Sequence, residues 1–102
     1  MIISKKYLKT KDVCKVTFKL SKEEAQFADS VSLLGSFNNW DKKSPEMTKL
    51  KDGSFKTIVE LEPGQSYPFR YLMNGEVWEN DWSADAYEPT NVCEQENSIV
   101  IV

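Results

Sequence analysis

Apolar and polar residues alternate along much of the chain with a period of two. Residues 13–20 (VCKVTFKL) put Cys14, Val16, Phe18 and Leu20 on one face and Lys15, Thr17 and Lys19 on the other, the pattern of a half-buried strand. Residues 31–34 read as a second strand, ended by Gly35. A polar stretch runs from Phe37-Asn38-Asn39-Trp40 to Pro45, and a short segment covers residues 47–51. Asp52-Gly53 then marks a two-residue hairpin turn. Residues 55–61 place Phe55, Thr57, Val59 and Leu61 inward, and Glu62-Pro63-Gly64 turns the chain again. Residues 67–73 alternate with Phe69, Tyr71 and Met73 inward and Arg70 and Leu72 outward. Pro68 has no N–H for a ladder bond, which puts the start of that strand at an edge or a bulge. Asn74-Gly75 is a second hairpin signal, leading into residues 76–79. A long polar loop over 80–97 precedes a last strand at 98–102.

No helical period interrupts this series. Ser21-Lys22-Glu23-Glu24 has the spacing of a capping box, but the room before Ser30 predicts a decorated loop. Short strands with regularly spaced turns in 102 residues predict one all-β domain over 1–102. Its fold is an antiparallel β-sandwich with a core of about 13–102, behind a brief polar tail.

Composition narrows the function classes. The 13 basic residues are scattered among 16 acidic ones for a net charge of −3, which gives neither nucleic acid nor an anionic membrane surface a concentrated positive field. No apolar run approaches the ~20 residues that span a bilayer. The opening Met1-Ile2-Ile3-Ser4-Lys5-Lys6 has its charges after its apolar residues, the reverse of a secretory signal, so the expectation is a cytoplasmic protein. Histidine is absent and Cys14 and Cys93 lie far apart, so neither a metal nor another cofactor is expected. Cys14, on the apolar face, reads as a buried free thiol.

Three tryptophans stand outside every apolar period. Trp40 follows Asn38-Asn39, Trp78 follows the Asn74-Gly75 turn, and Trp82 sits among Asn80, Asp81 and Ser83. An indole kept out of the core forgoes a large burial and so points to a binding surface. Its flat face matches the C–H face of a sugar ring, while Arg70 and the amides of Asn38, Asn39, Asn74 and Asn97 offer donors and acceptors for ring hydroxyls. The plainer readings are a Trp82 that lids the sandwich, an Arg70 in a surface ion pair, and asparagines that serve their turns.

The stretch from Val31 to Trp40 (VSLLGSFNNW) resembles the V-x-L-x-G-x-F-N-x-W signature of family 48 carbohydrate-binding modules, found in isoamylases, glycogen branching enzymes and the β subunit of AMP-activated protein kinase. The resemblance continues through Asp52-Gly53-Ser54-Phe55, Leu61-Glu62-Pro63-Gly64, Phe69-Arg70-Tyr71-Leu72-Met73-Asn74-Gly75, Trp78, Asp81 and Asn97-Ser98-Ile99-Val100. It implies an immunoglobulin-like sandwich of the early-set type that binds α-1,4-linked glucan on one face. Trp40 and Trp78 match the stacking tryptophans, Arg70 the binding lysine and Asn97 the sugar-bonding asparagine, with Trp82 and Asn39 as further candidates. The final loop departs from the family pattern, with Glu94 and Glu96 and no glycine before Asn97.

The leading expectation is non-catalytic binding of glycogen or maltooligosaccharide. The alternative is a sandwich that docks onto a glucan-metabolising enzyme or kinase, favoured if Glu94 and Glu96 cover the tryptophan face. An enzyme is the weakest of the three. Asp81 and Asp85 could be nominated as a carboxylate pair, but the barrel that carries catalysis in related hydrolases needs ~250 residues.

Overall fold

A computed structural model describes residues 1–90 and 96–102. These residues form nine strands in two antiparallel sheets. The first sheet has the order β1 (Ile2–Tyr7), β2 (Cys14–Leu20), β5 (Phe55–Leu61), β4 (Thr48–Lys49). The second has the order β3 (Val31–Gly35), β6 (Ser66–Met73), β9 (Glu96–Ile101), β8 (Ala86–Pro89), and β7 (Val77–Glu79) also pairs with β6. The fold is the expected immunoglobulin-like sandwich.

The alternation sets the layers. Cys14, Val16, Phe18 and Leu20 of β2 are buried and pack with Phe55 and Leu61 of β5 against Phe69, Tyr71 and Met73 of β6. Phe18 meets Phe69 edge to face at 5.1 Å between centroids, and Phe69 meets Tyr71 at 5.8 Å. Cys14 is a buried free thiol, while Cys93 lies outside the described residues. Ser21 and Glu24 close the expected box reciprocally, Ser21 N–H to Glu24 Oε1 at 2.8 Å and Glu24 N–H to Ser21 Oγ at 3.0 Å, around a turn and not a helix.

Two strands run where the sequence reads as polar. Residues 2–7 are β1, not a tail, and pair with β2 from Ile2↔Lys19 to Tyr7↔Cys14. Residues 86–89, inside the stretch read as one long loop, are β8 and pair with β9. Both are edge strands with little burial, so neither shows a clean two-residue period. Pro68 behaves as expected. Its segment of β6 pairs with β9 alone because β3 has ended opposite Phe69. Pro68 thus sits where β6 has a strand partner on one side only.

Candidate functional site

The outer face of the second sheet gathers most of the predicted site. In β6, Arg70 and Leu72 point away from the core, and directly opposite residues of an antiparallel pair share a face. One row is therefore Leu34 beside Arg70, followed by Asn97 and Glu88, and the next is Ser32, Leu72 and Trp78. The two rows are about 7 Å apart, two residues along a strand. Leu34 and Leu72 are buried although they stand outside the core cluster between the sheets. They form a second apolar layer beneath the outer face, with Trp78 directly opposite Leu72.

Trp40 reaches the same face by a tight detour. After Gly35 the chain makes one 3-10 turn over Ser36–Asn38. Asn39 and Trp40 then both adopt left-handed conformations, at φ 57° and 56°, which is rare for a bulky residue and costs on the order of 1–3 kcal/mol. The bend is held by Trp40 N–H to the Gly35 carbonyl at 3.0 Å and Asp41 N–H to the Asn38 carbonyl at 3.2 Å. Asn38 braces it from inside, Oδ1 accepting from Gly35 N–H at 3.0 Å and Nδ2 donating to the Leu33 carbonyl at 2.9 Å. The result sets the Trp40 and Trp78 rings 6.4 Å apart at 59°. Lys42 Nζ lies 5.7 Å from the Trp78 ring centre.

Beside the indoles, Arg70 Nε donates to Asn97 Oδ1 at 2.8 Å. Asn97 Nδ2 reaches Glu88 Oε1 only at 3.5 Å, so its donor is weakly engaged. The structure thus brings Trp40, Trp78, Arg70 and Asn97 onto one face, with Asn39 exposed at the bend. Trp82 is set apart. It is 61% exposed and its backbone N–H meets Met1 Sδ at the start of β1, at the seam of the two sheets. Asn38 and Asn74 serve the backbone. Asn74 Oδ1 accepts from Asp29 N–H at 2.8 Å and Ser30 N–H at 3.2 Å. Val92, Cys93 and Glu94 of the departing loop lie outside the described residues, and Glu96 is exposed.

Three neighbours were not singled out from the sequence. Lys42 is one lysine among several in a polar loop and gave no signal. Glu88 belongs to a strand that the pattern hid. Leu72 did carry one, as an apolar residue on an outward position.

The carboxylates nominated as an acid pair are tied into the frame. Asp81 is fully buried, with Oδ2 accepting from Tyr71 O–H at 2.6 Å and Oδ1 from Ser83 N–H at 2.7 Å. Burial, with the Asp81 charge and hydrogen bond adding to it, holds the Tyr71 phenol well above its usual range. Asp85 pairs with Lys5 Nζ at 2.7 Å and accepts from Ile101 N–H at 2.7 Å. Among the described residues no group of histidine, cysteine or acidic side chains is arranged to hold a metal, and no helix is long and apolar enough to cross a membrane.

A two-sheet sandwich with an aromatic outer face is the form of a carbohydrate-binding module. Within that class, residues 10–101 match the family model for the glycogen recognition site of AMP-activated protein kinase, and the chain belongs to that family. The chain is also 40% identical over 75 residues, 70% of its length, to the 1,4-alpha-glucan branching enzyme GlgB of Aquifex aeolicus (strain VF5). That match takes in 11% of the enzyme's length.

Proposed function

We propose that the chain is a non-catalytic module that binds α-1,4-linked glucan on the outer face of the second sheet. The observation that carries the reading is the pair of tilted indoles, Trp40 and Trp78, on the outer face that also holds the buried Leu34 and Leu72. Sugar rings present flat C–H faces to aromatic rings, and an α-linked chain curls, so successive rings turn relative to each other. Two indoles inclined at 59° suit consecutive rings of a curled chain better than those of a straight one. Arg70 and Asn97, locked together by their hydrogen bond, direct hydroxyl contacts with little ordering left to lose.

The strain at Trp40 supports the same reading. A bulky residue held left-handed is destabilising in itself, and here it sets a half-buried ring beside Trp78 on the outer face and outside the core cluster between the sheets. Binding at one open face of this kind is weak, about 10 µM to 1 mM, or about −4 to −7 kcal/mol. The kinship to a branching enzyme and to a kinase glycogen site supports glycogen as the polymer.

The test is affinity electrophoresis through gels with and without glycogen. The native chain is expected to be retarded. Trp40→Ala and Trp78→Ala each remove an anchor that contributes about 2 kcal/mol or more, so each loses affinity by about 30-fold and runs as in plain gel. Retardation that survives both substitutions would overturn the site.

A further inference from the structure

The opposite face of the sandwich carries a charge arrangement that folding alone does not favour. On the outer side of the first sheet, β1 shows Ile2, Ser4 and Lys6, β2 shows Lys15, Thr17 and Lys19, and β5 shows Lys56, Ile58 and Glu60, by register with the buried positions between them. Lys6 stands directly opposite Lys15, and Lys19 directly opposite Lys56. Like charges facing each other across a ladder are destabilising. Only Lys15↔Glu60 pairs opposite signs. Among the described residues none of these four lysines is in an ion pair. Asp52, at the margin near Lys19, is turned to its own turn, where Ser54 Oγ and N–H both bond its Oδ1.

Four lysines against one glutamate give this face +3. The chain as a whole is at −3, so the remainder carries −6. A positive face on an acidic molecule is therefore a real separation of charge, and it sits on the sheet that the glucan reading leaves unused. Between the two lysine pairs lie Ser4, Thr17 and an Ile58 that is 53% exposed, with Ile2 at the corner 56% exposed.

We infer that the outer face of β1, β2 and β5 docks a protein partner through an acidic surface patch. A neutral glucan gives no reason to tolerate two facing lysine pairs, whereas a partner's carboxylates placed between them would relieve both. The exposed Ile58, in the row between the two lysine pairs, supplies an apolar contact within the charged surround, as protein interfaces have. The face shows no aromatic ring and no arginine, the groups on which single-stranded nucleic acid stacks. With glucan on one sheet and protein on the other, the module can hold both together. The inference goes beyond the glucan reading and does not depend on it.

The test uses the Lys6→Glu/Lys56→Glu double variant, which turns both like pairs into opposite pairs and takes the face from +3 to −1. The 15N-labelled chain is titrated with poly-L-glutamate, with oligo(dT) and with phosphatidylserine-containing vesicles at fixed salt. Poly-L-glutamate is expected to shift amides of β1, β2 and β5, and the double variant to weaken that binding at least tenfold. The variant's melting temperature is expected to rise by about 1–5 °C as repulsion becomes attraction, which separates lost binding from lost folding. Its retardation by glycogen should match the native chain, and Trp40→Ala should keep poly-L-glutamate binding while losing glycogen. Absent or displaced amide shifts, or undiminished binding by the double variant, would overturn the inference. Tighter binding of oligo(dT) or of the vesicles to this same face would assign it to a phosphate-bearing partner and overturn it too.

Discussion

Asn38 and Asn97 carry the same amide and are used in opposite ways. Asn38 satisfies a backbone donor and a backbone acceptor at the bend before Trp40. Its loss in Asn38→Ala leaves both groups short of a partner, at about 1–3 kcal/mol, and frees the turn that holds the indole. Asn97 instead bonds Arg70 on the outer face, and its donor is held only by a long contact to Glu88. Asn38→Ala should therefore lower the melting temperature by several degrees and weaken glycogen binding as a consequence. Asn97→Ala should leave melting within a degree or two and weaken glycogen binding several-fold. Differential scanning fluorimetry beside the glycogen gel checks both, and a large melting shift in Asn97→Ala would make it a frame residue. The residue types alone did not divide the four asparagines, and it was the family resemblance that set Asn97 apart from Asn38 and Asn74, whose backbone bonds no local pattern announced. Trp40 and Trp78 were legible because each broke an apolar period. Their pairing was not, since it depends on two consecutive left-handed residues that no local pattern announces.

At the scale of elements, the β3–β6 contact fixes the site. A Cβ on Gly35 would stand 2.5 Å from the Pro68 carbonyl, 2.8 Å from the Phe37 ring and 2.9 Å from Phe69 Cβ. Gly35→Ala must spread the two strands or expel Phe37, a strain of about 1–3 kcal/mol. Because Gly35 also takes the Trp40 N–H, the variant is expected to lower the urea midpoint and the glycogen retardation together. An unchanged midpoint would mean the strands part freely there. The edge strands meet at another tie, Lys5 of β1 to Asp85 just before β8. Burial alone would raise the Asp85 carboxyl, but the Lys5 bond, the Ile101 N–H and the Lys5 charge together hold it below its ordinary value of 3.8. A depressed carboxyl contributes stability above its unfolded value and loses it as pH falls through the folded one. Melting temperature should accordingly drop more steeply below pH 4 in the native chain than in Asp85→Asn, and parallel curves would remove this pair from the acid response. Strands β2 and β5 were readable because one face of each is buried and the other is not. At the edges, β1 and β8 bury too little for a period of two to survive, and each carries residues that blunt an edge, lysines in one and Pro89 in the other.

For the whole molecule, size governs how the module can work. The sandwich measures 38 × 37 × 24 Å, and its proposed glucan site is a single open face with weak intrinsic affinity. A branched polymer offers many chains side by side, so on the proposed reading strength would come from several modules acting at once or from the inferred partner on the opposite face. Joining two copies makes the second contact intramolecular and can raise overall avidity by about 10²–10⁴ when the linker spans the sites. A Gly/Ser linker of about 30 residues has a root-mean-square span of about 30 Å, comparable to the molecule itself. The tandem protein is expected to bind glycogen at least tenfold more tightly than the single module, and maltoheptaose, too short to bridge two sites, with the same affinity per site. Placing Trp40→Ala in one copy should return the tandem to single-module behaviour. Equal gains on polymer and oligosaccharide would instead mean that linking changed the site itself, and no gain on glycogen would mean that one face does not act as an independent unit of binding.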